Sequence, residues 1–292
     1  MIRSVYYKVY KNILKNLKTK RASYKPLLTG LVKNRSGRNN LGKIVNYHRG
    51  GGVKRLYRNV CYSYVKLLTY NLKRWVVERI EYDPNRTSNI ALLRSNYWFH
   101  TRFLKKPKNS IFHYFFNTIY IYRIASENLK KGDLISFFDK AFQEDLFDNQ
   151  YTPLKYVDTG SNIFNLELIP LTKGIFARAA GCKAKFLRKY EKYGLVILPS
   201  KERKLIRLNC YVSLGRPSNY LLKFKKDYKA GNSRLKNVRP RVRGVAMNPV
   251  DHPHGGGEGK TSGGRHSVSK WGKLTKGFVT KKKKIKKKIK YV

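Results

Sequence analysis

Residues 76–93 read VVERIEYDPNRTSNIALL, and this stretch predicts two β-strands joined by a tight turn. Residues 76–82 lead into the tripeptide Asp83-Pro84-Asn85, and a second apolar run follows at residues 89–93. Proline and asparagine favour turns, because proline fixes φ and asparagine tolerates a left-handed backbone. A strand, a turn and a second strand in succession indicate an antiparallel sheet, so a mostly β fold is the first expectation.

The same stretch carries three carboxylates, at Glu78, Glu81 and Asp83. Neighbouring carboxylates can serve acid–base catalysis. Arginines are interleaved with them here, at Arg79 and Arg86. We therefore interpret the carboxylates as partners in ion pairs.

Towards the C-terminus, the pattern predicts further short strands. Residues 129–135 resemble a turn that enters a strand, and residues 195–198 and 205–208 flank a turn at 199–202. Short strands recur in this way across residues 152–225. Many short strands with frequent turns are typical of small β-barrels.

Towards the N-terminus, residues 43–47 and 53–57 have strand character and enclose three glycines at 50–52. Glycines supply the positive φ angles of a tight connection, so this segment predicts a β-hairpin. Residues from about 95 to 120 are aromatic and basic without a clear period. We interpret them as an insertion that packs on a neighbouring protein or stacks on RNA bases.

The first 35 residues form a basic extension. Apolar residues recur in it at helical spacing, at Val5, Val9, Ile13 and Leu17. Mitochondrial presequences have a related pattern but lean on Arg and Ser, whereas this segment uses Lys, Asn and Tyr. We therefore expect a helix that is retained on the mature protein.

The composition is strongly basic. The formal net charge is +49, from 65 Lys and Arg against 16 Asp and Glu in 292 residues. Like charge on this scale repels itself unless a polyanion neutralises it, and nucleic acid is the usual polyanion. An anionic membrane is the alternative, but it is mostly recognised by short polybasic segments or amphipathic helices. The best candidate for a membrane span, residues 111–122, is too short.

Two features bear on the compartment. Cys61, Cys182 and Cys210 are far apart and odd in number, which fits neither a disulfide framework nor a zinc knuckle and favours a reducing compartment. Gln occurs only at Gln143 and Gln150, whereas Lys, Asn, Tyr, Ile and Phe abound. These are residues with AT-rich codons, which suggests an AT-rich genome such as an organelle's own.

A first segment with cations and glycines spans residues 36–58. It contains GRNNLGK at 37–43, HRGGG at 48–52 and KRLYR at 54–58. Glycine lets the backbone approach a phosphate and exposes its N–H groups, and arginine adds bidentate phosphate contacts. The alternative is a solvated basic hairpin.

A second such segment, residues 239–277, contains VRGVAMNPVDHPHGGGEGK at 242–260. Asp251, His252 and His254 suggest a zinc site, but their spacing is not that of a helical site and no nearby cysteine completes the set. A histidine could act as a general base, yet no nucleophile with an orienting carboxylate is identifiable. We favour a slim loop threaded into folded RNA, with no metal, no cofactor and no catalytic residue.

These segments resemble the universal second protein of the large ribosomal subunit, the L2 family. The matching residues are 37–40, 48–52, 78–86, 242–259, 271–273 and 275–277, with weaker similarity at 128–133 and 177–181. The run at 242–259 is very specific, because chance agreement over such a length is negligible.

The sequence also departs from the family. The arm before Ser36 hardly resembles it, and residues 95–120 and the Lys-rich C-terminus are extra. Residues 171–175 lack the family's Gly-rich stretch, which puts an RNA contact there in doubt.

The resemblance implies a fold of mostly β character. It comprises a basic N-terminal extension with a candidate helix at 1–35, an OB-like RNA-binding domain at 36–148 with the insertion at about 95–120, an SH3-like barrel at 149–225, and an extended basic tail at 226–292 that penetrates rRNA. After about residue 226, few apolar residues are periodic, so the tail cannot bury a core of its own.

The resemblance also implies a place and a role. The place is the large ribosomal subunit, near the peptidyl-transferase centre and the subunit interface, and residue usage favours the mitochondrial ribosome of the matrix. The implied partners are large-subunit rRNA, neighbouring large-subunit proteins, and the small subunit through an intersubunit bridge. Neither a membrane nor a small-molecule substrate is expected. The chain is then not an enzyme, since the catalyst in that family's ribosome is RNA, and His252 is a supporting residue near the peptidyl-transferase centre.

The expected rRNA contacts are polar, basic or aromatic residues of the matching segments and their surroundings. They are Arg38, Asn39, Asn40, His48, Arg49, Lys54, Arg55, Arg58, Arg239, Arg241, Arg243, Asn248, His252, His254, Lys260, Arg265, His266, Trp271 and Lys273. Two other functions are weighed against this one. One is a free-standing RNA- or DNA-binding protein of an organelle, which sedimentation would distinguish, and the other is a metal-dependent hydrolase, which elemental analysis would detect.

Overall fold

The computed structural model describes residues 23–32, 34–63, 74–96, 113–115, 118–136 and 150–277. The predicted N-terminal helix, most of the aromatic insertion and the Lys-rich end lie outside the described residues. The chain divides into two compact units. The barrel unit comprises residues 1–33 and 54–228, and the basic unit comprises residues 34–53 and 229–292.

The described part of the chain is mostly β. Its strands are β1 (Leu28–Leu31), β2 (Leu56–Arg58), β3 (Arg74–Glu81), β4 (Ile90–Asn96), β5 (His113–Phe115), β6 (Thr118–Ile124), β7 (Leu134–Ser136), β8 (Tyr151–Pro153), β9 (Asn162–Phe164), β10 (Leu166–Glu167), β11 (Gly174–Phe176), β12 (Ala184–Lys189), β13 (Tyr193–Ile197), β14 (Arg203–Arg207) and β15 (Tyr211–Leu214). The helical elements among the described residues are α1 (Ala230–Leu235) and 3-10 turns at Lys25–Leu27, Leu154–Tyr156, Tyr220–Phe224 and Gly244–Ala246.

The first barrel is OB-like and consists of an antiparallel sheet in the order β5-β6-β4-β3-β7. The predicted strand pair around residue 83 is confirmed, since β3 pairs with β4. In the turn, Asp83 Oδ1 accepts the Asn85 backbone N–H at 2.8 Å. The predicted turn and strand at 129–135 are also confirmed, since Gly132 has a left-handed φ of 92° and β7 follows it.

Strand β4 is buried on both faces. Successive side chains of a strand point in opposite directions, so alternate residues of β4 enter two different cores. Ala91 and Leu93 enter the barrel core with Trp75. Ile90 and Leu92 enter a second core, which also contains Leu27, Val60 and Tyr122. The sheet thus lies between two apolar cores, and this packing holds β3 and the turn that follows it in place.

The three carboxylates around the β3–β4 turn form ion pairs, as predicted. The pairs are Glu81 with Arg79 at 2.6 Å, Asp83 with Arg86 at 2.9 Å and Glu78 with Arg94 at 3.3 Å.

The second barrel is SH3-like, with the strand order β14-β13-β12-β9-β15-β8. The turn predicted at 199–202 is confirmed between β13 and β14. Leu198 N donates to Glu202 O at 2.9 Å, and Lys201 takes a left-handed φ of 63°. Phe186 and Val196 are fully buried in the core of this barrel.

A carboxyl group is buried where β10 meets the rest of the barrel unit. Glu167 Oε2 accepts the backbone N–H groups of Leu171 at 3.2 Å and Tyr211 at 3.0 Å, and Oε1 lies 3.4 Å from the Tyr151 hydroxyl. Burial raises the pKa of the Glu167 carboxyl from its ordinary value of 4.5 to about 7. Between these two pH values, the Glu167 carboxyl is therefore protonated in the folded chain, whereas in the unfolded chain it has already lost its proton.

Replacing Glu167 with Gln should change how stability depends on pH. The raised pKa means that the wild-type loses about 1–3 kcal/mol of stability as pH rises from 4.5 through 7. Gln keeps the oxygen that accepts both N–H groups, and its amide can donate to the Tyr151 hydroxyl, so the variant should not lose that increment. Urea unfolding at pH 5 and pH 8 measures the difference. Glu191→Gln, at an exposed carboxylate, is the matched control. A wild-type–variant difference that stays constant with pH would show that Glu167 titrates normally.

The predicted hairpin between residues 43–47 and 53–57 is wrong. Strand β2 pairs with β1 instead. Residues 43–46 fold back on Gly37, whose carbonyl accepts the N–H groups of Val45 and Asn46, both at 3.0 Å. Gly50 and Gly52 lie against residues 235–237 rather than in a hairpin turn. A glycine run permits a tight turn and also a close backbone approach, and local sequence does not distinguish the two.

Two further observations concern helix length and the cysteines. No helix within the described ranges is both long and apolar enough to span a membrane. Cys61, Cys182 and Cys210 are free thiols, and Cys61 and Cys210 are buried.

Candidate nucleic-acid interface

The basic unit concentrates positive charge without an apolar core. Its described residues, 34–53 and 229–277, carry fifteen Lys and Arg side chains against two carboxylates, Asp251 and Glu258. Within these two ranges, Val268 is the one buried residue. The unit is therefore held together by backbone and polar hydrogen bonds rather than by hydrophobic burial.

The two halves of the basic unit are joined by a backbone ladder between residues 48–53 and 235–240. Gly50 N donates to Asn237 O at 3.0 Å, and Val53 N donates to Leu235 O at 3.2 Å. The opposite donation, from Arg239 N to His48 O, is 3.0 Å long. This ladder places two cationic segments that are almost 190 residues apart in sequence side by side.

Two asparagine side chains add hydrogen bonds to the ladder. Asn34 Nδ2 donates to Gly51 O at 2.6 Å and to Asn237 Oδ1 at 2.8 Å. Gly52 has a φ of 62°, and a Cβ atom there would lie 2.4 Å from Asn237 Oδ1. The third glycine of the run is thus required by a close approach.

A second loop carries the two histidines of residues 252–254. His252 Nδ1 accepts the backbone N–H of His254 at 3.0 Å, and Gly255 N donates to His252 O at 2.8 Å. Gly244 lies against the His252 ring, with 2.5 Å between the position of a Cβ atom and ring atoms. His252 therefore organises its own loop through Nδ1, and its proton is on Nε2, where it is available to a partner.

The chain after this loop returns to it and then forms a small hairpin. Val268 N donates to His254 Nε2 at 3.2 Å. The hairpin, residues 267–275, closes through Ser269 N to Lys273 O at 2.7 Å and presents Trp271 with 71% of its surface exposed. An exposed indole on a rigid turn is suited to stacking on a base.

Two family models match this chain. The RNA-binding N-terminal domain of ribosomal proteins L2 matches residues 24–136, and the C-terminal domain of ribosomal proteins L2 matches residues 149–272. The chain belongs to the ribosomal protein L2 family.

Individual relatives agree with this assignment. The chain is 44% identical to large ribosomal subunit protein uL2 of Neorickettsia sennetsu over 250 residues, which cover 84% of this chain and 80% of that protein. It is 41% identical to the uL2 protein of Wolbachia pipientis over 86% of this chain and 82% of that protein. For the uL2 protein of Cereibacter sphaeroides, the identity is 41% over 91% and 85%. These relatives are bacterial.

Most of the L2-like residues expected to contact rRNA are brought together in the basic unit. They are Arg38, Asn39, Asn40, His48, Arg49, Arg239, Arg241, Arg243, Asn248, His252, His254, Lys260, Arg265, His266, Trp271 and Lys273. Lys54, Arg55 and Arg58 belong to the barrel unit. Arg58 is only 6% exposed and donates to Leu56 O at 3.0 Å, so its burial argues against a phosphate contact.

The zinc hypothesis finds no support in the geometry. No group of three His, Cys, Asp or Glu side chains within the described ranges is arranged to hold a metal ion. His252 Nδ1 and His254 Nε2 accept backbone N–H groups, so each ring already uses one of its two nitrogens.

Two of the side chains that join the halves of the basic unit were not predicted from sequence. Asn34 and Asn237 are polar residues in loops and give no local signal of their pairing. Tyr47 was not singled out either, although Lys270 donates to its hydroxyl at 3.3 Å and lies 5.0 Å from its ring centroid. A comparison of covarying positions could have found such pairs.

Replacing Gly244 with Ala should disturb the histidine loop. The added methyl group would overlap the His252 ring, which must then turn away and release the His254 N–H. Leaving that N–H unpaired costs about 1–3 kcal/mol. Proton NMR of the His252 ring in the free chain should show the displacement. Gly231→Ala is the matched control, because nothing lies within 4 Å of its Cβ position, and it should leave the ring unchanged.

Proposed function

We propose that this chain is a structural constituent of the large ribosomal subunit and that its basic unit binds large-subunit rRNA. The observation that carries the proposal is the basic unit itself. Its described residues gather fifteen cations on a backbone that has almost no apolar core, so their charge requires a polyanion. The names of the relatives place those proteins in the large ribosomal subunit.

Different side chains of the basic unit make different kinds of contact with RNA. Arg239, Arg241 and Arg243 are exposed and contact phosphates, which position the protein without reading sequence. Trp271 stacks on a base, and His252 donates through Nε2. These roles require no covalent step, so the chain acts as a structural protein and not as an enzyme.

The finer placement follows the family resemblance. We propose that His252 lies near the peptidyl-transferase centre and that the protein takes part in a bridge to the small subunit. We also propose that the ribosome is mitochondrial, on the strength of residue usage that favours an AT-rich organelle genome. Cell fractionation with detection of this chain in purified mitochondria tests the last point, and recovery in the cytosolic ribosomes would overturn it.

Sedimentation tests the function. In a sucrose gradient of cell lysate, the chain should sediment with the large subunit and resist a moderate salt wash, because its cations are buried in assembled RNA. The isolated chain should bind the same RNA with a steep dependence on salt. A chain that stays at the top of the gradient, or that the wash removes, is instead a free RNA- or DNA-binding protein.

A further inference from the structure

The loop between β10 and β11 presents apolar side chains to solvent on a chain that is otherwise rich in cations. No charged residue lies between Glu167 and Lys173. The exposed aliphatic side chains are Leu168 at 36%, Ile169 at 58%, Leu171 at 56% and, on β11, Ile175 at 42%. We call these four side chains the aliphatic tip.

The aliphatic tip has a fixed shape. Thr172 Oγ1 donates to Ile169 O at 2.7 Å, and Leu171 N donates to the buried Glu167 carboxylate at 3.2 Å. The same carboxylate oxygen accepts Tyr211 N at 3.0 Å, which ties the loop to β15. A loop anchored in this way presents its side chains with little conformational entropy left to lose on binding.

The strained backbone conformation of Leu171 indicates that its side chain has a function. Its φ is 62°, in the left-handed region that glycine occupies without strain. A residue with a Cβ atom costs about 1–2 kcal/mol more there. Both the backbone and the exposure count against leucine in a free protein. A partner that buries the side chain would offset the two costs, since burial of a leucine contributes about 1.5–3 kcal/mol.

The aliphatic character of the tip determines which class of partner it can bind. Aliphatic groups offer no charge and no hydrogen bond to phosphates or riboses, which are what RNA presents most. A second copy of this chain is also a poor partner, because four side chains cannot supply the area of about 800 Å² per partner that a stable dimer needs. A small contact suffices for a protein that the assembly already holds beside the tip, since the effective concentration is high.

We propose that the aliphatic tip docks on an aliphatic surface of a neighbouring protein of the large subunit. This inference rests on the proposed function, which supplies the assembly. The contact fixes the second barrel against that neighbour through side chains alone, while the basic unit binds RNA.

Photo-crosslinking tests the proposal in assembled subunits. Ile169 is replaced by p-benzoylphenylalanine in the tagged full-length chain, large subunits are purified, and the products of irradiation are identified by mass spectrometry. The expected product joins residue 169 to a protein that is stoichiometric in the large subunit. Cross-links to rRNA or to a second copy of this chain, or no cross-link, would overturn the inference.

Two further variants separate docking from folding. Leu171→Gly removes the side chain and relieves the left-handed strain, so the isolated chain should be as stable as the wild-type or more so. In subunits, the same change should lower the yield of the cross-link from residue 169 about tenfold. Leu134→Ser, at a leucine that is 70% exposed in the first barrel, should leave the yield unchanged. If the tagged chain is absent from large subunits, the proposed function fails, whereas a chain present without the protein cross-link refutes only the docking.

Discussion

Replacing Arg239, Arg241 and Arg243 together with Gln is expected to weaken binding of the chain to large-subunit rRNA about a hundredfold at 0.15 M salt. All three side chains are exposed on the segment that leaves the ladder of the basic unit, where Arg239 N is held by His48 O. Each arginine that neutralises a phosphate releases a counterion, so its loss removes about one unit from the slope of log K against log salt. The triple variant should thus lower that slope by about three.

Fluorescence anisotropy with a labelled fragment of large-subunit rRNA, measured from 0.05 to 0.5 M KCl, gives both quantities. The matched control replaces Lys185, Lys201 and Arg203 with Gln, which removes the same charge from exposed positions of the second barrel. Its slope should change by less than one unit. Equal losses in the two triple variants would mean that net charge, rather than the basic unit, determines binding.

Local features of the fold were predictable because local residues cause them. The β3–β4 turn follows from Asp83-Pro84-Asn85, and the β13–β14 turn follows from residues 199–202, where Lys201 takes the left-handed conformation. The ion pairs of the first turn were predictable for the same reason, since the arginines and carboxylates alternate along the chain.

Features that join distant segments were not predictable in this way. The strand-like residues 53–57 and the glycines at 50–52 suit a hairpin, yet residues 48–53 pair with 235–240. Only the partner segment decides between these outcomes, and for residues 48–53 it lies almost 190 residues away. The described part of the tail, residues 226–277, lacks an apolar core as expected, but it is held by that distant ladder, which composition does not reveal.

The residues after the first turn illustrate the same limit. Thr87 lies between the two predicted strands and carries no local signal of a partner, but its hydroxyl accepts Ala180 N at 3.0 Å and its carbonyl accepts Asn219 Nδ2 at 2.7 Å. Asn89 N similarly donates to Ser218 Oγ at 3.1 Å. These bonds fasten the second barrel to the first. A short polar residue in a turn satisfies local rules equally well with or without such partners.

Substitutions of His252 should separate a structural role from proton transfer. The structure assigns the two ring nitrogens different tasks, because Nδ1 accepts the His254 N–H within the loop and Nε2 remains for RNA. Asn places its amide oxygen near the position of Nδ1, and Gln places a donor near that of Nε2. If His252 has a structural role, Asn retains the acceptor for the His254 N–H, Gln retains the donor to RNA, and Ala retains neither.

We therefore expect His252→Ala to impair subunit assembly most, with an equilibrium cost of about 1–3 kcal/mol for the unpaired His254 N–H alone, or about tenfold to a hundredfold. Asn and Gln should each cause a smaller loss, and Val250→Ala, at a side chain 91% exposed in the same loop, should cause none. The measurements are assembly of reconstituted subunits by sedimentation and, separately, the puromycin reaction of the assembled fraction. A group that transfers a proton would give a different pattern, since Asn, Gln and Ala would then all reduce the puromycin reaction alike while assembly stays normal. That pattern would overturn the structural role proposed for His252.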